Sequence, residues 1–233
     1  GDGHRLGLSL TYLSQAKPEG IAQAFLIAEE WIGQEPVALV LGDNIFYGPH
    51  LETLLRGCSH HTQGAIVFGY HVNHPSRYGV IDFDENFKVK ALVEKPQNPP
   101  SSYAITGLYF YDHQVVEIAK GLKPSLRGEL EITDVNQAYL EKGSLRVELL
   151  EKGYAWLDTG THDALHKASA YVQTIQERQG IQIACIEEIA FMQGWISLEG
   201  LSQLAKLYQA SDYGQYLLRL VKTSFKTFAL NEI

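Results

Sequence analysis

Hydrophobic and polar positions change rhythm repeatedly along the first two thirds of the chain. Residues 8–14 (LSLTYLS) alternate with the period of a strand. Pro18-Glu19-Gly20 then opens a helix whose apolar residues Ile21, Phe25, Ala28 and Ile32 fall on one face. Residues 37–41 (VALVL) form a short unbroken apolar run, which reads as a strand buried on both faces, as in a parallel sheet under helices. The run ends in Gly42-Asp43-Asn44. A helix over about 50–61 and a strand over 65–72 (AIVFGYHV) follow. This βαβαβ rhythm predicts a doubly wound, mostly parallel sheet.

After Pro75 the pattern changes. Residues 80–83 and 89–94 flank Asp84-Glu85-Asn86 and read as a hairpin. Residues 95–100 (KPQNPP) can be neither helix nor central strand. A long aromatic strand is predicted over 103–111 (YAITGLYFY), then helices near 113–122 and 132–142 and a strand over 145–150. From His162 onward the texture is helical, with segments over 163–179, 201–208 and 213–221. The expected organisation is an α/β core over residues 1–165 and a helical tail over 166–233. Residues 223–233 match no pattern.

Composition narrows the picture. The chain has 233 residues, 45% of them hydrophobic, enough to bury a sizeable core. Its formal charge of −8 argues against broad binding to nucleic acid or anionic membranes. Cys58 and Cys185 make neither a disulfide framework nor a zinc pattern and fit a reducing cytoplasm. No apolar run approaches the ~20 residues of a membrane helix, and no stretch reads as a signal peptide. Met192 is the sole methionine and residue 1 is Gly, so the chain reads as a piece of a longer protein or one that has lost a leader.

Three places could carry chemistry. Asp43 closes an apolar strand after a small Gly42, where α/β sheets bind ligands. It either holds a metal such as Mg²⁺ or caps a turn with Asn44. Asp158 precedes a Gly turn and a helix, and either shares that metal or joins Thr159 and Thr161 in capping the helix. Glu94-Lys95-Pro96 ends a strand: Lys95 suits a phosphate, Glu94 suits sugar hydroxyls, and the alternative is a surface ion pair. Arg77-Tyr78-Gly79 adds a flat aromatic beside a glycine open to close approach. The opening Gly1-Asp2-Gly3-His4 precedes no helix and reads as a loop. His60, His61, His162 and His166 lack a zinc pattern. Without a GxSxG elbow or a Cys–His signature, nucleophilic hydrolysis has no support.

Together the segments VLGDNIFYG, RYGV, EKP, YAITGLYFYD, RGELEITDVN and GYAWLDTGTHDAL resemble the glucose-1-phosphate thymidylyltransferases, from about Leu8 to Gln215. The resemblance implies a Rossmann-like nucleotidyltransferase core with an added β-hairpin layer and a C-terminal helical region. It implies dTTP, glucose 1-phosphate and dTDP-glucose as substrates and product in dTDP-rhamnose and polysaccharide biosynthesis. Mg²⁺ would be held by Asp43 and Asp158. Gln15 would read the base, with Gly20 beside the nucleotide, while Tyr78, Gly79, Glu94, Lys95, Ile105 and Trp156 would form the sugar-phosphate pocket. A cytoplasmic homotetramer would be inhibited by the dTDP-sugar end product near Tyr47, Gly48, Glu187, Glu188, Ile189 and Ala190. Family members begin with a strand and a Gly-rich phosphate loop that has no counterpart here, so the first βαβ unit is expected to be absent and this chain weakly active or inactive. A UTP-using or other sugar-1-phosphate transferase, and a non-catalytic module that binds nucleotide sugars, are the alternatives.

Overall fold

The computed structural model describes residues 1–60 and 63–231, with the side chains of 225–231 left aside. His61, the end of one expected helix, lies outside the described residues. The chain divides into an α/β unit, Leu13–Leu165, and a helical unit that joins Gly1–Tyr12 to His166–Ile233.

The α/β unit opens with two short helices, α1 (Gln23–Ile27) and α2 (Glu29–Ile32), where one continuous helix was expected. Ala28 leaves helical geometry between them at φ −96°, ψ 8°. Phe25 and Ile32 keep their places on the buried face. Strand β1 (Val37–Val40) and a short β2 (Asn44–Tyr47) precede α3 (Leu51–Ser59) and β3 (Ala65–His71). The hairpin β4 (Gly79–Phe83) and β5 (Val89–Glu94) leads to β6 (Tyr103–Tyr111). Helices α4 (Val115–Gly121) and α5 (Ile132–Glu141), then β7 (Leu145–Leu150) and β8 (Ala155–Asp158), complete the unit.

The sheet is mixed rather than mostly parallel. Its order is β5-β4-β6-β3-β7, with β1 also paired to β6. The long β6 is its axis: β3 runs antiparallel along one edge, while β1 and the end of β4 share the other. β1 and β3 therefore run in the same direction with β6 inserted between them, and among the described residues only β3–β7 is a parallel pair of strands. An apolar run reports burial, not the direction of the neighbour, so hydropathy could not show this insertion.

The expectation that residues 37–41 are buried on both faces also fails. β1 is paired on one edge only among the described residues, and Val40 is 55% exposed. Residues 8–14 form no strand. Alternation alone supplies no ladder partner, and Leu8, Leu10, Tyr12 and Leu13 are exposed. Residues 1–12, expected in the core, group instead with the helical unit, where the 3₁₀ turn His4–Leu6 packs on α7.

Alternation within β3 distributes the core over two faces. Val67 joins Phe25, Ile81, Tyr111, Val115, Val135 and Tyr139 under α1, α4 and α5. Ile66 and Phe68 join Leu108, Leu150 and Cys58 under α3. β2 and β8 form a separate two-stranded antiparallel ladder that sets Asn44 opposite Asp158. In the helical unit, α6 (His162–Gln179, whose first turn belongs to the α/β unit) precedes α7 (Ile186–Met192), α8 (Leu198–Leu207) and α9 (Asp212–Asn231). Its core holds Cys185, Leu201, Ala205, Tyr216, Leu217 and Val221. Both cysteines are free and buried, and no described helix is long and apolar enough to cross a membrane.

Candidate active site

Strand ends and turns of the α/β unit converge on a cavity of about 230 Å³. Asp43, Tyr78, Gly79, Glu94, Lys95, Ile105, Trp156 and Asp158 all line it. Residues spread over more than a hundred positions thus meet at one place.

The β2–β8 ladder explains how the two aspartates meet. Asp43 directly precedes β2, whose first residue, Asn44, pairs with Asp158 at the end of β8. The Asp43 carbonyl accepts from the amide and hydroxyl of Thr159, both at 2.8 Å. A methyl group built on Gly160 would sit 3.0 Å from Asp158 Oδ1 and 3.5 Å from Asp43 Oδ2. The missing side chain at Gly160 therefore keeps clear a space that both carboxylates border. Among the described residues no third His, Cys, Asp or Glu completes a cluster. Two hard carboxylates beside an open space fit Mg²⁺, which takes its remaining ligands from water and phosphate.

Asn44 braces this corner. Its Oδ1 accepts from Trp156 Nε1 at 2.6 Å and from the Gly107 amide at 3.0 Å, and its Nδ2 donates to Asp43 Oδ1 at 2.8 Å. Gly107 is required there, because a Cβ would lie 2.6 Å from Asn44 Oδ1. Trp156 packs at 5.0 Å between centroids against Tyr78, which itself donates to Asp158 Oδ2 at 3.2 Å. Burial and the Asp158 charge push the Tyr78 phenol above its usual pKa, so it stays a donor. Burial, Glu94 and Asp43 push Tyr109, which also lines the cavity, the same way.

On the other side, Lys95 Nζ lies 3.6 Å from Glu94 Oε1. Lys95 has a left-handed φ of 40°, a strained conformation for a side chain with a Cβ, and its amide donates to the Tyr78 carbonyl at 3.0 Å. Glu94 is further held by the Thr133 hydroxyl and by Arg127 Nη2 at 3.4 Å. Arg127 in turn grips Glu131 at 2.8 Å. Asn44, Gly107, Thr133 and Arg127 were not singled out as site residues, although all four stand in quoted segments and Asn44 was read as a turn partner of Asp43. Their bracing roles depend on partners at least thirty positions away, which local sequence does not show.

Gln15 and Gly20 line a second, apolar cavity of about 360 Å³, which shares Ile21 and Leu41 with the first. Gln15 Nε2 donates to the Gly20 carbonyl at 3.1 Å. Gly20 has φ 105°, and a Cβ there would lie 2.3 Å from the Leu130 carbonyl oxygen. Tyr47 ends β2, and Gly48 lies against the Tyr154 ring. Glu187, Glu188, Ile189 and Ala190 are on α7 in the helical unit, where Tyr213 donates to Glu187 and Tyr216 to Glu188.

Comparison with known proteins agrees with this architecture. A family model described as nucleotidyl transferase matches residues 1–175. Glucose-1-phosphate thymidylyltransferase of Neisseria meningitidis is 55% identical over 222 residues, 95% of this chain and 77% of its own length. The Mycolicibacterium smegmatis protein of that name is 54% identical over 95% and 76%. A solved Bacillus anthracis protein assigned as a glucose-1-phosphate thymidylyltransferase superimposes with TM-score 0.66 at 41% identity, covering 73% of this chain and 68% of that one. A UDP-glucose pyrophosphorylase bound to UDP-glucose gives TM-score 0.59 at 25% identity, over 70% and 66%. The chain belongs to the nucleotidyl transferase family and, within it, to the glucose-1-phosphate thymidylyltransferases.

Proposed function

We propose that this chain carries a site that transfers a thymidylyl group from dTTP to glucose 1-phosphate. A phosphate oxygen of the sugar phosphate attacks the α-phosphorus in line. The bond to the β-phosphate oxygen breaks, and pyrophosphate leaves with the electron pair. No protein nucleophile takes part, so the work is positioning and charge neutralisation. The observation that carries the reading is the meeting of Asp43, Asp158, Lys95 and Glu94 on one cavity.

Asp43 and Asp158 would hold Mg²⁺, which neutralises phosphate charge when bound. Lys95 pairs with the sugar phosphate, and Glu94, fixed by Thr133 and Arg127, accepts from sugar hydroxyls. Tyr78, Gly79, Ile105 and Trp156 shape the wall, while Gln15 and Gly20 place the base. A homotetramer in the cytoplasm, inhibited by a dTDP-sugar end product, completes the proposal.

The test measures pyrophosphate release with Mg²⁺ and glucose 1-phosphate, comparing dTTP with UTP. Calorimetric titration with dTDP-glucose and UDP-glucose reads the pocket independently of turnover. Preference for the thymidine compounds in both is expected. Preference for UTP and UDP-glucose would move the chain to the uridylyl branch. Nucleotide-sugar binding without release, persisting when the chain is extended to the relatives' full length, would make it a binding module.

A further inference from the structure

Asp158 divides its two oxygens between two tasks. Oδ1 accepts from the Gly160 amide at 2.9 Å and borders the space shared with Asp43. Oδ2 faces the 3₁₀ turn Pro75–Arg77, where the Tyr78 hydroxyl donates to it and the Arg77 guanidinium stands 3.6 Å away. That distance is an ion pair without a good hydrogen bond. Arg77 is half exposed, and its guanidinium lies 5.6 Å from the centre of the Tyr78 ring. Arg77 thus lines the cavity wall beside both the Tyr78 ring and the Asp158 carboxylate, held firmly by neither.

Resting on the Mg²⁺ reading above, we propose that Arg77 is the stand-in counter-cation of Asp158. It partly neutralises the carboxylate in the metal-free protein and yields it when the cation arrives with nucleotide. Arg77 then turns to a phosphate oxygen of the bound ligand. The pair suits exchange: its loose geometry and exposure make leaving cheap, and Tyr78 continues to hold Oδ2 while the guanidinium changes partner. A fork of donors at the wall of a phosphate-binding cavity matches phosphate oxygens better than one carboxylate oxygen at 3.6 Å. Without ligand, Arg77 would oppose a bare cation, so the metal would be better taken up together with a phosphate ligand.

The experiment titrates the protein with Mn²⁺ alone, reading free Mn²⁺ by electron paramagnetic resonance, and separately with dTDP-glucose in excess EDTA. Arg77→Gln should bind Mn²⁺ about 2–5-fold more tightly and metal-free dTDP-glucose about 2–5-fold more weakly, as expected for an exposed ion pair. Arg77→Lys should stay near wild type in the first titration. Arg77→Gln placed on Asp158→Asn should add no tightening, because the competitor then has nothing to release. Unchanged or weaker Mn²⁺ binding in Arg77→Gln, with an unaltered thermal melt, overturns the proposal, as does unchanged dTDP-glucose binding. If wild type and Asp158→Asn bind Mn²⁺ alike, the metal assignment itself falls and takes the Arg77 role with it.

Discussion

Replacing Asn44 with alanine tests whether one amide holds the Asp43 corner and the Trp156 wall of the cavity together. The substitution leaves the Trp156 indole N–H and the Gly107 amide without their common acceptor, and removes the donor to Asp43. A buried donor left unsatisfied costs about 1–3 kcal/mol. Trp156 is buried, but the cavity opens to solvent, so water replaces part of the loss and the low end of that range applies to each donor. The expected total is about 2 kcal/mol, or a Tm lower by about 4–8 °C for a unit of this size. Asn44→Asp keeps an acceptor for both N–H groups but sets a second carboxylate beside Asp43, so it should melt between Asn44→Ala and wild type. Circular dichroism melts read both. Asn44→Ala melting with wild type, or Asn44→Asp melting below it, would refute the argument that the shared acceptor is what matters.

Other outcomes follow from the same geometry. Asp158→Asn should lower Mg²⁺-dependent turnover by at least about a hundredfold, whereas a mere helix cap would leave turnover intact. Gly20→Ala should destabilise by more than about 1 kcal/mol, because a left-handed φ and the Leu130 backbone both oppose a Cβ. Gly57→Ala, inside α3 with no atom within 4 Å of the new Cβ, should instead raise Tm by the equivalent of about 0.5–1 kcal/mol; the same sign for both would refute the backbone reading. Burial raises the phenols of Tyr109, Tyr111, Tyr139, Tyr213 and Tyr216 above the ordinary value of 10.0. Above pH ~10 the unfolded state loses these protons while the folded state keeps them, so stability falls with rising pH, by about 1.4 kcal/mol per pH unit for each of Tyr109, Tyr111 and Tyr139 and by less for the less enclosed Tyr213 and Tyr216, where solvent screens the charge. Tyrosinate absorbance should therefore appear together with unfolding, and its gradual appearance from an intact fold would contradict the burial argument.

Elements whose neighbours lie close in sequence were legible. The β4–β5 hairpin stands where alternation and the Asp84-Glu85-Asn86 turn put it; β6 and β7, whose partners lie far off in sequence, were legible as strands from their own apolar runs and flanking loops but not in their pairing. Residues 8–14 show the opposite case, where alternation of the same quality met no partner strand. The β2–β8 ladder was invisible for a related reason. Its strands are four residues each and more than a hundred positions apart, too short for periodicity and too distant for turn chemistry to announce. The α7 helix was missed because Ile186, Ile189 and Met192 are exposed, so its apolar pattern does not mark a buried face.

The hidden ladder is what turns separate motifs into a site. Taken alone, Asp43 ends a strand and Asp158 precedes a helix, and each has an ordinary capping explanation. Only the pairing of Asn44 with Asp158 brings both carboxylates to the space left by Gly160. The deviations from local stability gather on the same cavity. Lys95 takes a left-handed backbone beside Pro96, Gly107 gives up a side chain to admit Asn44, and two carboxylates face one opening. The left-handed Lys95 and the facing carboxylates do not help the sheet fold, and the Asn44 brace ties the sheet to the cavity corner. Each makes sense under the proposed role of the cavity in holding phosphate charge, where the attraction of a ligand would repay strain that the protein alone carries.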